Sequence, residues 1–364
     1  MGRALYMARV ACTGARLIPL RIRADGAQGE APFVVRLSQT TASDATAVGP
    51  WDAILAHADG DAAFYESRHG QLRVSGVSAP ELHGDVVLVD PNRSVAHRLI
   101  RAQSKHNTFL VTERCDQLCV MCSQPPKAHH TDLFDSFLEA ALLAPEGMTI
   151  GISGGEPALY KDRLFELLRR ALGARPDLSF HVLTNGQHFG SDDEAALSSL
   201  PSGRVLWGIP LYASEPTLHD EIVGKPGAHK RLLESLALLA RCGSAIELRT
   251  VLISVNAPDL ERLANFVTIH LPFASFWAIM QLENIGYGRK NWDRLFFDNS
   301  KAFERVGRAL DTATARGMPV ALYNFPLCTV PEAYRPLAHP SISDWKRRYL
   351  EPCEKCRLRD SCGG

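Results

Sequence analysis

From Asn107 onward, short apolar runs alternate with longer segments in which apolar residues recur every three or four positions. The runs Thr108 to Thr112, Met148 to Ser153, Phe180 to Leu183, Val205 to Leu211, Ile246 to Ile253, Ser275 to Met280 and Val320 to Tyr323 have the length and texture of buried strands. Between them, Asp132 to Leu143, Lys161 to Leu172, Lys230 to Ala240, Asp259 to Ile269 and Lys301 to Arg316 place apolar residues at helical spacing. Strands that alternate with helices of this size predict βαβ units and a parallel sheet. With loops following successive strands, the expected architecture is α/β, a partial (β/α)6 barrel.

The chain before this point has a different rhythm. Residues 1–105 read as a small mixed, β-rich unit, with strands expected at Leu20 to Arg23, Phe33 to Leu37, Leu72 to Val74 and Val86 to Val89. Asp90-Pro91-Asn92 closes the last of these with a turn, and Trp51 to Ala58 reads as a short helix. Residues 106–324 are then the barrel, and residues 325–364 a short cysteine-bearing tail. The N-terminal unit carries no catalytic chemistry and is expected either to bind substrate, its short strands pairing with an extended peptide, or merely to cover the barrel.

Composition narrows the function class. Lys+Arg and Asp+Glu both number 40, so the chain offers no net charge to draw nucleic acid or an anionic membrane. The first twenty residues are broken by Arg3, Arg9, Arg16 and Pro19, unlike a signal peptide, and no run reaches a membrane span. A cytoplasmic protein is expected, where thiols stay reduced. Its nine cysteines are then ligands or catalysts before they are disulfides, and seven fall in two groups.

The first group is Cys115, Cys119 and Cys122, a C-x3-C-x2-C loop directly after the first barrel strand. Three thiolates on one loop can hold three corners of a four-iron cluster and leave the fourth iron open to a small molecule. The alternative is a zinc knuckle, but zinc favours paired C-x2-C units closed by four ligands. His129 and His130 follow on a segment that reads as a solvated loop. The second group, Cys328, Cys353, Cys356 and Cys362, supplies four thiolates with a C-x2-C-x5-C core. Those four suit either a complete [4Fe–4S] cluster or a structural zinc ion. Cys12 and Cys242 stand alone and read as packed thiols.

Gly154-Gly155-Glu156-Pro157 ends the second strand, 32 positions after Cys122 (154 − 122), and Thr184-Asn185-Gly186 ends the third. With the three-cysteine loop before them, these motifs make the chain resemble the radical S-adenosylmethionine (SAM) superfamily over residues 106–364. His219-Asp220 and the stretch Gly224 to Gly227 resemble the family's features after the fourth strand. The resemblance implies a [4Fe–4S] cluster held by Cys115, Cys119 and Cys122, with SAM on the open iron. It implies SAM contacts from Met121, Gly154, Gly155, Glu156, Pro157 and Asn185, and from Arg249, which resembles an arginine that meets the SAM carboxylate. Two positions depart from the pattern. Met121 replaces a usual aromatic that lies against the adenine, and Pro210 replaces a serine, whose role Tyr212 or Ser214 would take.

The stretches Val111 to Cys115, Cys122 to Lys127 and Cys353 to Gly364 look more closely like the radical SAM maturase of the His-Xaa-Ser system. The tail resembles a reduced SPASM or twitch region, which implies a second, auxiliary [4Fe–4S] cluster on Cys328, Cys353, Cys356 and Cys362. The implied reaction is reductive cleavage of SAM to a 5′-deoxyadenosyl radical, which takes hydrogen from a peptide or small protein with His-Xaa-Ser repeats. The implied partners are that substrate, a second radical SAM maturase and an electron donor such as flavodoxin or ferredoxin. Two rivals remain: a radical SAM enzyme acting on a small metabolite, and a non-catalytic zinc-binding protein.

Overall fold

The computed structural model describes residues 21–26, 31–39, 49–60, 62–340 and 347–364. Cys12, Leu20 and the arginine-interrupted N-terminus lie outside the described residues. Seven strands form a closed barrel first: β1 (Arg21–Asp25), β2 (Phe33–Ser38), β3 (Asp52–Asp59), β4 (Ala62–Ser67), β5 (Gly70–Ser75), β6 (Val86–Asp90) and β7 (Val95–Ile100). Their order is β1-β5-β4-β3-β2-β6-β7, closed by pairing of β7 with β1, and only β2 and β3 run parallel. A one-turn helix, α1 (Ala79–Leu82), precedes β6.

Two expectations for this unit change. Residues 52–59 are a strand, not a helix: Ala and Leu favour helices weakly, and hydrogen bonding to β2 on one side and β4 on the other overrides that preference. Among the described residues the barrel also closes on itself, so its strands leave no free edge along which a peptide would pair. Alternation along β2 and β6 divides the labour of their side chains. Val35, Val87 and Val89 fill the small barrel with Tyr65, Leu72 and Val74. Val34, Val86 and Leu88 face the other way and join Phe109, Phe137 and Ala141 in the core of the next unit.

That unit is an eight-stranded parallel sheet in simple chain order. Its strands and helices are β8 (Asn107–Thr112), α2 (Phe134–Leu142), β9 (Thr149–Gly154), α3 (Lys161–Ala174), β10 (Ser179–Leu183), α4 (Glu194–Ser198) and β11 (Val205–Pro210). They continue with α5 (Pro216–Val223), α6 (Ala228–Arg241), β12 (Ala245–Leu252), α7 (Leu260–His270) and β13 (Phe276–Gln281). Last come α8 (Gly286–Lys290), α9 (Trp292–Leu295), α10 (Phe303–Ala315), β14 (Val320–Tyr323) and the two-residue β15 (Ala338–His339). The sheet therefore has the seven strands read from the sequence, one more than a (β/α)6 barrel needs, plus β15, which carries the chain past the boundary drawn at residue 325 back onto it.

The period of two assigns the faces. Phe109, Ile152, Val182, Trp207, Ile209, Leu248 and Ile279 point to the helices and share one buried core with Leu167, Leu236, Leu263 and Leu310. The opposite, inner face is left to Thr108, Ser153, His181, Gly208, Glu247, Arg249, Ala278 and Tyr323. Because all strands run parallel, their C-terminal ends form one rim, where ligand sites of such sheets gather.

Candidate active site

The three-cysteine loop leaves β8 at that rim and is clamped on several sides. Leu118 and Val120 donate their backbone N–H groups to Val223 and Ile222 at 3.0 Å each, satisfying carbonyls at the C-terminus of α5. Cys122 donates to Cys119 at 3.0 Å, and its own carbonyl accepts from Tyr287 N, in the first turn of α8, at 2.8 Å. The Asn291 side chain donates to Val120 O at 2.8 Å. The thiols of Cys115, Cys119 and Cys122 are free and half-buried. Burial pushes Cys119 up to about 12 and Cys115 up to about 11, and each feels the charges of its fellow cysteines; burial raises Cys122 as well.

Thiols so placed ionise when a metal cation compensates the charge, which fits an iron cluster. Among the described residues, no group of three or more His, Cys, Asp or Glu side chains is arranged to hold a single metal ion. A cubane is larger than one ion and spreads its ligands over separate irons.

The turn after β9 locks onto the start of this loop. Gly155 N donates to Thr112 O at 2.8 Å and Glu156 N to Arg114 O at 2.7 Å. Only glycine permits that approach: a Cβ on Gly155 would lie 2.1 Å from Arg114 O. The Glu156 side chain is wholly buried and turns inward. Its carboxylate accepts from Ala158 N at 2.7 Å, Thr184 Oγ1 at 2.6 Å and Asn185 N at 2.5 Å. Burial pushes this carboxyl up, while those three donors pull it down. Glu156 thus ties the turn after β9 to the turn after β10.

A second tie joins the β10 turn to the cysteine loop. Asp116, the residue after Cys115, accepts from Asn185 Nδ2 at 2.8 Å, pairs with Lys225, and lies 3.3 Å from His188 Nε2. Against the upward push of burial, His188, Lys225 and Asn185 hold the Asp116 carboxyl far below its usual range. The loops after β8, β9, β10 and α5 are therefore one hydrogen-bonded unit around three thiols.

Residues 109–267 match the sequence model of the radical SAM superfamily. Over that segment the chain is similar to a radical SAM domain. Two solved structures of SuiB from Streptococcus suis share its fold. One superposes with a TM-score of 0.51 at 16% identity, over 67% of this chain and 54% of SuiB. The other, bound to S-adenosylmethionine, gives a TM-score of 0.50 at 14% identity, over 61% and 51%. The chain thus spans about half the length of these relatives. No curated protein sequence matches it.

Other residues expected at the SAM site are placed unequally. Met121 is only 5% exposed and packs with Ile222, Ile253, Leu282 and Leu295 beneath the cysteine loop, leaving little surface for an adenine. Asn185 spends its side chain on Asp116 and on Gln187 N, which donates to its Oδ1 at 3.0 Å. Ser214 Oγ and N both bond the buried Asp259 carboxylate, pinning the β11 loop to the start of α7. Tyr212 is half-buried, its hydroxyl pushed up by burial and by Cys119, Cys122 and Cys115 and pulled down by Arg249. Arg249 lies on the inner face, with Nη1 on Glu247 Oε1 at 2.7 Å. Of these, the glycine turn, Tyr212 and Arg249 remain toward the thiols; Glu156, Asn185 and Ser214 hold loops, and Met121 packs.

Lys225, inside the Gly224–Gly227 stretch, joins residues of this site that sequence reasoning passed over: Asp116, His188, His181 and Glu247. Their signal was available only in part. Asp116 is an acid inside the cysteine motif, and His181 and Glu247 are polar residues in otherwise apolar strands.

The second cysteine group converges after the last long strand. Cys328 follows β14, on the same rim as the first loop. Burial raises its thiol, and so do the nearby Cys362, Cys353 and Cys356. Leu327 N donates to Cys362 Sγ at 3.5 Å and Tyr349 Oη to Cys362 O at 3.0 Å, folding the tail back onto Cys328. Cys242 is half-buried against the main core, as a packed thiol.

Proposed function

We propose that this protein is a radical SAM maturase that cleaves S-adenosylmethionine reductively and modifies a ribosomally made peptide or small protein of the His-Xaa-Ser repeat type. The observation that carries the reading is the bonding of the three-thiol loop to the Gly154–Pro157 turn, through Gly155 N and Glu156 N. Cys115, Cys119 and Cys122 would hold a [4Fe–4S] cluster, which supplies the electron and the open iron for SAM. The backbone of Gly154 and Gly155 would meet the SAM amino group beside it, and Arg249 the carboxylate. Glu156 and Asp116 keep those loops in register, and the apolar side chains of the inner face, Leu183, Val251 and Met280, would exclude water from the radical.

The peptide class rests on the resemblance and on the converging tail. Cys328, Cys353, Cys356 and Cys362 would hold a second iron–sulfur centre, a place for the electron left over when the substrate is oxidised. A second maturase, and a flavodoxin or ferredoxin as electron donor, complete the proposed system. Among the described residues, no helix is long and apolar enough to cross a membrane.

The test is anaerobic reconstitution followed by iron, sulfide and zinc analysis, with 5′-deoxyadenosine measured under dithionite. The wild type should form 5′-deoxyadenosine, and the variant with Cys115, Cys119 and Cys122 all changed to Ala should form none. Cleavage that persists in that variant overturns the site. Co-expression with a His-Xaa-Ser repeat protein should shift the mass of that protein; SAM cleavage with no mass shift would favour a small metabolite. Stoichiometric zinc without sulfide would favour the zinc protein.

A further inference from the structure

The inner face of the sheet holds one group of charged side chains that the loops do not use. Parallel pairing sets Leu183 of β10 beside Gly208 of β11, and Gly208 beside Glu247 of β12. His181 lies two residues before Leu183 and so on the same face. Its ring crosses over β11 to bring Nε2 within 2.5 Å of Glu247 Oε2. The crossing needs a glycine beneath it. A Cβ on Gly208 would stand 2.6 Å from Leu183 Cδ2, 2.8 Å from His181 Nε2 and 3.2 Å from Arg249 Cδ.

The other oxygen of Glu247 accepts from Arg249 Nη1 at 2.7 Å. Glu247 is wholly buried, while the Arg249 side chain keeps 19% of its surface. Burial pushes the Glu247 carboxyl up, but His181 and Arg249 together hold it below its usual value, so it stays ionised. Tyr323, the remaining titratable side chain on the inner face of these strands, is raised by burial and by Glu247 and keeps its proton. Burying an ionised group costs desolvation, and apolar side chains in the same volume would stabilise the sheet as well or better. Stability alone does not account for a carboxylate here.

We infer that Glu247 is a positioning residue for Arg249. It engages one N–H of the guanidinium and leaves the rest of the fork for the carboxylate of S-adenosylmethionine. His181, reaching over Gly208, fixes Glu247 in turn. Arginine carries five donors; Glu247 Oε1 uses one, and a carboxylate bound side-on needs two. Arg249 pairs with Pro210 and Ala278 in the C-terminal half of β12, toward Tyr212 and the three thiols. The inference rests on the SAM reading proposed above.

The test compares two ligands that share adenosine and sulfur, of which only S-adenosylmethionine carries the amino-acid arm with its carboxylate. Equilibrium dialysis of the reconstituted protein would measure binding of S-adenosylmethionine and of 5′-methylthioadenosine. Glu247→Ala should weaken S-adenosylmethionine about tenfold, the loss of one oriented charge-assisted contact, and leave 5′-methylthioadenosine unchanged. Glu247→Gln, whose amide oxygen still accepts from Arg249, should fall between. Gly208→Ala should act like Glu247→Ala, because the added methyl displaces His181 and Arg249; these last two variants carry the test if Glu247→Ala does not fold. Equal weakening of both ligands means that Glu247 only supports the sheet and overturns the inference. Tighter binding of S-adenosylmethionine means that Glu247 competes for Arg249 and overturns it too. A wild type that binds neither ligand overturns the proposed function, and this inference with it.

Discussion

Asn185 donates its side-chain amide to Asp116 at 2.8 Å, joining a turn and a cysteine loop that lie 69 positions apart in the chain. The bond makes the residue beside Cys115 answer to the end of β10. Lys225 and His188 converge on the same carboxylate, so the position of the first thiol is set by two other loops at once, those after β10 and α5.

Replacing Asp116 by Asn keeps the shape and removes the charge those partners share. Charge-assisted bonds of this kind are each worth about 2 kcal/mol, and the pair with Lys225 loses its Coulomb part. Asp116→Asn should lower the urea unfolding midpoint and leave less iron bound after reconstitution. Iron content and midpoint both at wild-type levels would show that the network does not position the loop.

Glu156 sits among three donors in a place closed to water. Glu156→Ala would leave the Thr184 hydroxyl hydrogen, Asn185 N–H and Ala158 N–H without an acceptor, at a cost of about 3 kcal/mol or more in chemical unfolding. Glu156→Gln keeps acceptor capacity and should cost less. A loss of SAM binding in Glu156→Gln at unchanged stability would instead show direct contact with the cofactor.

His219 predicts a pH effect with a definite sign. Burial, and next the neighbouring His229, push its imidazole down to about 4 from an ordinary value of 6.5, while Asp220 pulls the other way. Its Nδ1 accepts from Tyr212 N at 3.3 Å, a bond only the neutral ring can make. Between these two values the unfolded chain binds a proton that the folded protein refuses, so stability falls as pH drops from 6.5 toward 4. At about 1.4 kcal/mol per unit, the loss is at most about 3 kcal/mol. Urea midpoints measured across that range should slope less for His219→Phe than for the wild type; parallel slopes would remove His219 as the cause.

The tail cysteines predict a metal count. With both cysteine groups intact, the reconstituted protein should carry about eight iron and eight sulfide, and about four of each with Cys328, Cys353, Cys356 and Cys362 changed to Ala. That variant should still cleave S-adenosylmethionine. One zinc lost and no iron would reassign the tail to a structural zinc site.

The strands and helices after residue 107 were legible because each buries one face, and burial leaves a period of two or of 3.6 in the sequence. The cysteine spacing and the Gly154–Pro157 turn were legible for a related reason. A loop that must fold around a metal, or pass 2.1 Å from where a Cβ would stand, admits few residue types. Residues 52–59 were misread because a strand hydrogen-bonded on both sides takes its conformation from its neighbours, and closure of the small barrel is likewise a property of seven strands together.

The chain by itself determined the alternation of elements, the two sets of thiols and the rim on which the first set sits. Tertiary structure alone decided what each polar side chain does there. It turned Glu156 inward to hold the β10 turn, buried Met121 under the loop, and brought Cys328 to Cys362. It also laid His181 across Gly208 onto Glu247. Hydrogen-bond partners distant in sequence leave no periodic trace, because each bond depends on one close approach in space and not on any repeat along the chain.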